Sequence, residues 1–145
     1  MTLRPATQND APAIAQILGG WRAVTPYIPP PHTREEDRDF VAGLVTSQDV
    51  VVAVNRAQIQ GVIARDETKI RQLYLSKNAR SKGTGTALLN HIKAKTEQLK
   101  LWCFQANTGA RRFYERHGFV AEQFTDGADN EEHLPDIRYV WSAKG

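Results

Sequence analysis

Two stretches of this chain combine residue types and spacings that could do chemistry. The first, NARSKGTGTALLNHIKAKT from Asn78 to Thr96, sets Gly83 and Gly85 among basic residues and runs straight into an amphipathic pattern. A helix N-terminus offers unpaired backbone N–H groups and the positive end of a dipole, so a loop wrapped around it can bind phosphate. A β-carbon at Gly83 or Gly85 would stand where phosphate oxygens must sit, or forbid the positive φ that turns the amides inward. The second stretch, NTGARRFYERHGF from Asn107 to Phe119, carries an amide and a phenol on a short helical pattern.

Two common phosphate-binding fingerprints fail against these letters. No Gly, four residues, then Gly-Lys-Ser/Thr occurs, and in the dinucleotide pattern the third glycine position after Gly83 and Gly85 is Leu88. His32, His91, His117 and His133 have no mutual metal-ligand spacing, and the single cysteine, Cys103, cannot make a structural zinc site or an internal disulfide. No metal is expected; His91 is expected to face solvent on its helix and His117 to belong to a helix end. Cys103 lies in an apolar run, which favours an inert core thiol over a nucleophile.

These residues need elements to position them. At 145 residues, 41% of them hydrophobic, the chain has the length of one domain, residues 1–145, and no segment reaches the ~20 apolar residues that span a bilayer. The opening MTLRPATQND lacks the apolar core of a signal peptide, so a cytoplasmic location and no membrane partner are expected. A short strand precedes Thr7-x-x-Asp10, a capping pattern for a helix with Ile14, Ile17, Leu18 and Trp21 on one face, closed by Gly19 and Gly20. After the proline-rich VTPYIPPPH, Thr33-x-x-Glu36 caps a second helix with Phe40, Val41, Leu44 and Val45. DVVVAVN, QIQGVIAR and KIRQLYL read as an antiparallel meander. The helix from Gly85 (Leu88, Leu89, Ile92, Thr96, Leu99) and the strand LKLWCFQA complete a right-handed βαβ unit, whose two strands must run parallel. A short helix ended by Gly118, the strand FVAEQF, an acidic loop and the strand DIRYVW follow.

Arg80-x-x-Gly83-x-Gly85 after a strand, followed by Asn107, Phe113-Tyr114-Glu115 and Gly118-Phe119, resembles the GNAT superfamily of N-acetyltransferases over nearly the whole chain. The resemblance implies an α+β fold: a central, mostly antiparallel sheet of about six to seven strands with a splayed parallel pair, flanked by about four helices. It implies acetyl-CoA as co-substrate, its pyrophosphate gripped by the amides of Lys82, Gly83, Thr84, Gly85 and Thr86 with charge from Arg80 and Lys82. Its pantetheine arm would pair with the edge of QLYL at Leu73 and Leu75, and the N–H of Leu75, or of a neighbour near a bulge, would face the thioester carbonyl. Asn107 would bond pantetheine or cap the next helix. Tyr114 would lie near the CoA sulfur as hydrogen-bond donor, with a packed core aromatic as the alternative reading.

By the same resemblance the reaction is direct attack of a primary amine on the thioester. An alkyl amine of pKa near 10.4 is neutral in only about one molecule per 2,500 at pH 7, so a base or an alkaline optimum should follow. Where some members carry a glutamate before the glycine loop this chain has Lys69, leaving Glu131, Glu132 or water as candidates. Trp21, Tyr27 and His32, with Glu131 and Glu132, would line the acceptor side, Trp21 and Tyr27 being equally readable as core. That acidic wall would suit a cationic small-molecule amine. A protein N-terminus or lysine as acceptor, a non-catalytic acyl-CoA-binding module and a homodimer stay open. The net charge of +3 includes a basic run from Lys69 to Lys100 opposed only by Glu97, but no recognition helix or interleaved aromatics point to nucleic acid.

Overall fold

The computed structural model describes residues 1–23, 34–76, 79, 83–130 and 133–144, with the side chains of 20–23, 34 and 37 outside that description. In chain order the elements are β1 (Thr2–Pro5), a 3-10 turn (Gln8–Asp10), α1 (Ala11–Ala23), α2 (Arg34–Ser47), β2 (Asp49–Asn55), β3 (Gln58–Asp66) and β4 (Lys69–Leu75). Then follow α3 (Thr84–Lys93), β5 (Gln98–Phe104), α4 (Thr108–Arg116), β6 (Val120–Phe124) and β7 (Asp136–Ser142). The expected α+β architecture is the one observed. Seven strands form one sheet in the order β1-β2-β3-β4-β5-β7-β6, antiparallel throughout except for β4 and β5.

The period-2 alternation of each strand divides the molecule into three layers. Val50 and Val52 of β2 and Val62 and Ala64 of β3 pack against Ala11, Ile14 and Ala15 of α1 and Val41 of α2. Their neighbours Val51, Ala53 and Ile63 turn to the other face, where Leu88, Leu89 and Ile92 of α3 and Tyr114 of α4 cover them together with β5 and β7. Each fully buried Leu or Ile here contributes roughly 1.5–3 kcal/mol of transfer free energy.

Three boundaries differ from the sequence reading. Gly19 and Gly20 lie inside α1, because the buried side chains of Ile14, Ala15 and Leu18 hold the helix on the sheet strongly enough to absorb a propensity cost of about 1 kcal/mol per glycine. α3 stops at Lys93, so Thr96 is in the following turn and Leu99, fully buried, belongs to β5 rather than to the helix face. β5 ends at Phe104, and Asn107 does not finish the strand but starts α4 after a turn closed by its own N–H to Phe104 O, 3.0 Å. Thr33, expected to cap α2, is outside the described residues. Gly118 ends α4 as expected: its N–H reaches Glu115 O and that of Phe119 reaches Tyr114 O, the paired bonds of a Schellman motif.

At the other end of the chain, Thr7 and Asp10 form the expected capping box. Thr7 N–H donates to Asp10 Oδ2 at 2.8 Å and Asp10 N–H to Thr7 O at 2.9 Å, while Arg4 of β1 grips both carboxylate oxygens at 2.8 and 3.0 Å. The Arg4 hydrogen bonds, with the Thr7 amide assisting against the cost of burial, hold the Asp10 carboxyl down to about 2. A folded-state pKa below the unfolded value of about 3.9 means that this stabilisation is complete above that value and is lost as pH falls through it towards 2. Asp10→Asn should therefore lower stability by about 1–2 kcal/mol at pH 7, allowing for the solvent exposure of Arg4. Denaturant titrations should show the gap closing near pH 2; an equal gap at both pH values would refute the ion-pair assignment.

Candidate functional site

β4 and β5 are registered at a single position, Lys69 with Lys100, reinforced by the Lys100 N–H to Thr68 O bond of 2.7 Å. Beyond it β4 stays with β3 up to Gly61↔Leu75, and β5 stays with β7 from Gln98↔Ser142 to Phe104↔Asp136. The two parallel strands therefore splay. Ser76 N–H donates to Gln60 O at 2.8 Å, and antiparallel pairing alternates inward and outward N–H groups, so Tyr74 also faces β3 while Leu73 and Leu75 turn their N–H groups towards the gap. A bulge does occur in β4, at Arg71 between the pairs Arg65↔Ile70 and Ala64↔Gln72, rather than beside Leu75.

The splay is a cleft of about 140 Å³ whose walls include Leu73 and Tyr74 on one side and Trp102, Cys103 and Phe104 on the other. α4 closes it with Asn107, Ala110 and Tyr114. Asn107 takes the capping role, Oδ1 accepting from Ala110 N–H at 3.1 Å, and also lines the cleft. Tyr114 fulfils both of its readings. It is 9% exposed, edge-on to Phe113 (5.3 Å) and to Phe119 (5.5 Å), yet it lines the cleft wall. Burial, and secondarily Cys103 and Tyr74, pushes its phenol well above the ordinary value. Burial likewise pushes the Cys103 thiol up to about 11. Both groups are neutral at pH 7, and their burial leaves them weakly screened, which strengthens any hydrogen bond made there.

Past Leu75 the chain reaches the N-terminus of α3. Gly83 has φ +81°, the left-handed conformation that side chains resist, and a β-carbon on it would meet nothing. Gly85 also has a packing role that the sequence does not suggest. A β-carbon there would come within 3.3 Å of the Phe113 ring and 3.5 Å of Leu75, so the residue permits α3, α4 and β4 to pack closely. The helical ladder begins with Ala87 N–H to Gly83 O, leaving the amides of Thr84, Gly85 and Thr86 without a partner inside the helix. The Thr86 hydroxyl is occupied. His117 Nδ1 faces Phe113 O at 2.7 Å and must donate to it, so Nε2 accepts from Thr86 Oγ1 at 3.0 Å. His117, read from the sequence as a helix end, also ties the two helices together, whereas His91 is half-buried on α3 instead of facing solvent.

Leu73, Asn107 and Tyr114 thus share one cleft, and Leu75 joins it to the start of α3 at Thr84, Gly85 and Thr86. Trp21 lies in α1 with its side chain outside the description; Tyr27, His32, Arg80, Lys82, Glu131 and Glu132 are outside the described residues. Sequence reasoning missed Tyr74, Cys103 and Ala110 as cleft residues, since no pattern says which strand residues face a splay. It missed Tyr139 too, whose hydroxyl donates to Glu115 at 2.6 Å and anchors α4 from β7.

A family model described as an acetyltransferase (GNAT) domain matches residues 46–121, just over half of the chain and the run from β2 through α4 to the start of β6. The chain belongs to the GNAT family. Among curated relatives this GNAT chain is 29% identical over 99 residues to an uncharacterized N-acetyltransferase, MJ1207, of Methanocaldococcus jannaschii. That match spans 65% of the chain but 44% of the relative's length. Among solved structures it resembles apo YjaB from Escherichia coli (TM-score 0.78, 20% identity, 97% and 96% of the two chains). It also resembles a ribosomal-protein-alanine N-acetyltransferase from Brucella melitensis (TM-score 0.79, 18% identity, 98% and 99%). At these identities the structures establish the shared fold. Among the described residues no helix is long and apolar enough to cross a membrane.

The burial of Cys103 carries its own test. A thiol-specific aromatic disulfide at pH 8 should label the native GNAT chain far more slowly than the chain in denaturant, because both access and thiolate fraction are low. Equal rates would mean that the thiol is open at the cleft.

Proposed function

We propose that the chain, as a single domain, is an N-acetyltransferase that moves an acetyl group from acetyl-CoA to a primary amine of a small molecule by direct attack, without a covalent enzyme intermediate. The observation that carries this reading is the splayed β4–β5 pair opening towards the glycine loop and α3. The amides of Gly83, Thr84, Gly85 and Thr86 suit the pyrophosphate, with Arg80 and Lys82 adding charge. The outward N–H groups of Leu73 and Leu75 suit an extended pantetheine amide chain, which would add a strand to β4. One of these N–H groups, aimed at the thioester carbonyl, would stabilise charge developing on its oxygen.

Tyr114 supplies a buried phenol to the cleft wall. Its raised pKa keeps the proton on the phenol, and complete transfer to a thiolate of ordinary pKa near 8.5 is uphill. Its role is hydrogen-bond donation to the departing sulfur. Lys69 occupies the position where a base would stand in some members, so the amine is expected to lose its proton to water or to Glu131 or Glu132, and turnover should favour alkaline conditions.

Calorimetry with acetyl-CoA tests the grip at the loop. Gly83→Val forces a β-branched residue into φ +81° and should abolish measurable binding, whereas Gly83→Asn, which tolerates that conformation, should retain most of it. Valine binding as well as glycine would remove the pyrophosphate assignment. Tyr114→Phe keeps the aromatic packing and removes one hydrogen bond, so kcat should fall roughly ten- to a hundredfold with little change in acetyl-CoA affinity. An unaltered kcat at saturating substrates takes the phenol out of the reaction.

A further inference from the structure

Residues alternate strictly along β5. Leu99, Leu101 and Cys103 face the core under α3 and α4, so Lys100 and Trp102 stand on the opposite face, the one that α1 and α2 cover over β2 and β3. Arg138 of β7 is registered opposite Trp102, and Lys69 is the partner of Lys100 where β4 and β5 meet. With Arg71, at the β4 bulge, these side chains line a pocket of about 160 Å³. It shares Ile70, Arg71, Leu101 and Trp102 with the splay cleft, so the two spaces adjoin.

The charges here are incompletely balanced. Arg71 has Asp66 at 3.8 Å and Arg138 has Glu122 at 3.4 Å, but among the described residues no carboxylate pairs with Lys69 or Lys100. Like charges directly across two strands are destabilising, so folding gains nothing from setting these two lysines side by side. A bound anion would reverse that sign. The CoA pyrophosphate is not that anion, because the seven residues of β4 at about 3.3 Å each put roughly 20 Å between Lys69 and the end of the strand that leads to α3. Trp102, 52% exposed, adds an apolar flank to the pocket. Two carboxylates near this face are already engaged: Glu122 of β6 pairs with Arg138, and Asp136 of β7 is buried against Thr125 and Asn130.

We propose that this pocket receives a carboxylate of the acceptor, and that the acceptor is therefore an amine that also carries an anionic group, its amine reaching into the splay while Lys69 and Lys100 hold the other end. This rests on the acetyltransferase reading above. The test uses ω-amino carboxylates of increasing chain length, each beside its neutral amide and the matching diamine, with thiol release as readout and acetyl-CoA affinity measured separately. The carboxylate should show a kcat/KM about tenfold or more above its amide, the scale of one charge-assisted hydrogen bond, and Lys100→Glu should erase or invert the ratio. An amide or diamine preferred by the native chain, or a ratio indifferent to Lys100→Glu and Lys69→Glu, overturns the proposal. Aminoalkylphosphonates in the same series separate carboxylate from phosphate as the natural group; a phosphonate preferred over its carboxylate counterpart overturns the carboxylate assignment.

A binding arm keeps the two readings distinguishable. The indole N–H resonance of Trp102, assigned with Trp102→Phe, should shift saturably with 5-aminopentanoate and fail to do so in Lys100→Glu. If acetyl-CoA does not bind but this shift occurs, the transferase reading fails while the anion pocket stands. No saturable shift in the native chain refutes the pocket even where acetyl-CoA binds.

Discussion

The site depends on one pairing constraint: β4 and β5 are registered at Lys69 and Lys100 and share no other ladder position along their length. A parallel pair made by a right-handed crossover would ordinarily stay hydrogen-bonded, and breaking it leaves backbone groups of both strands without a sheet partner. What permits the separation is that each strand is fully committed on its other side, β4 to β3 and β5 to β7. The unpaired edge is thus a feature of two well-held strands, and its N–H groups are directional donors fixed before any ligand arrives.

α4 is the wedge that makes the gap usable. Its start is fixed by the Asn107 cap, its middle by Tyr139 bonding Glu115, and its end by the Schellman turn at Gly118. His117 bridges Phe113 O and Thr86 Oγ1, and Lys93 of α3 donates to His117 O at 2.5 Å while lying 5.0 Å over the Trp141 ring. These contacts tie the phenol of Tyr114 to the same rigid block as the first turn of α3. Two groups that would act on different ends of one ligand therefore move together.

Charge is distributed along the same axis. The amides of the α3 terminus form one electropositive end and the lysine pair at the start of β4 a second, and Arg71 lines the cleft between them. Net charge alone could not separate these two positive regions, because Lys69 and the strand end that leads to α3 stand about 20 Å apart along β4.

Amino-acid pattern alone determined the element order, the antiparallel meander, the parallel crossover, the positive φ at Gly83 and the cap at Asn107, because each follows from local periodicity or from short-range backbone demands, whereas Tyr114 is singled out by the family resemblance. The pattern misplaced the end of α1 and did not reveal the packing at Gly85, where the outcome is set by contacts with side chains distant in sequence: the sheet under Ile14 and Leu18, and the Phe113 ring. Only the tertiary structure decided how far β4 and β5 pair, which N–H groups face the gap, that Tyr114 is at once core and cleft, and that Lys69 stands beside Lys100. Those features are properties of registers between strands, and a register is a relation between two segments that neither carries by itself.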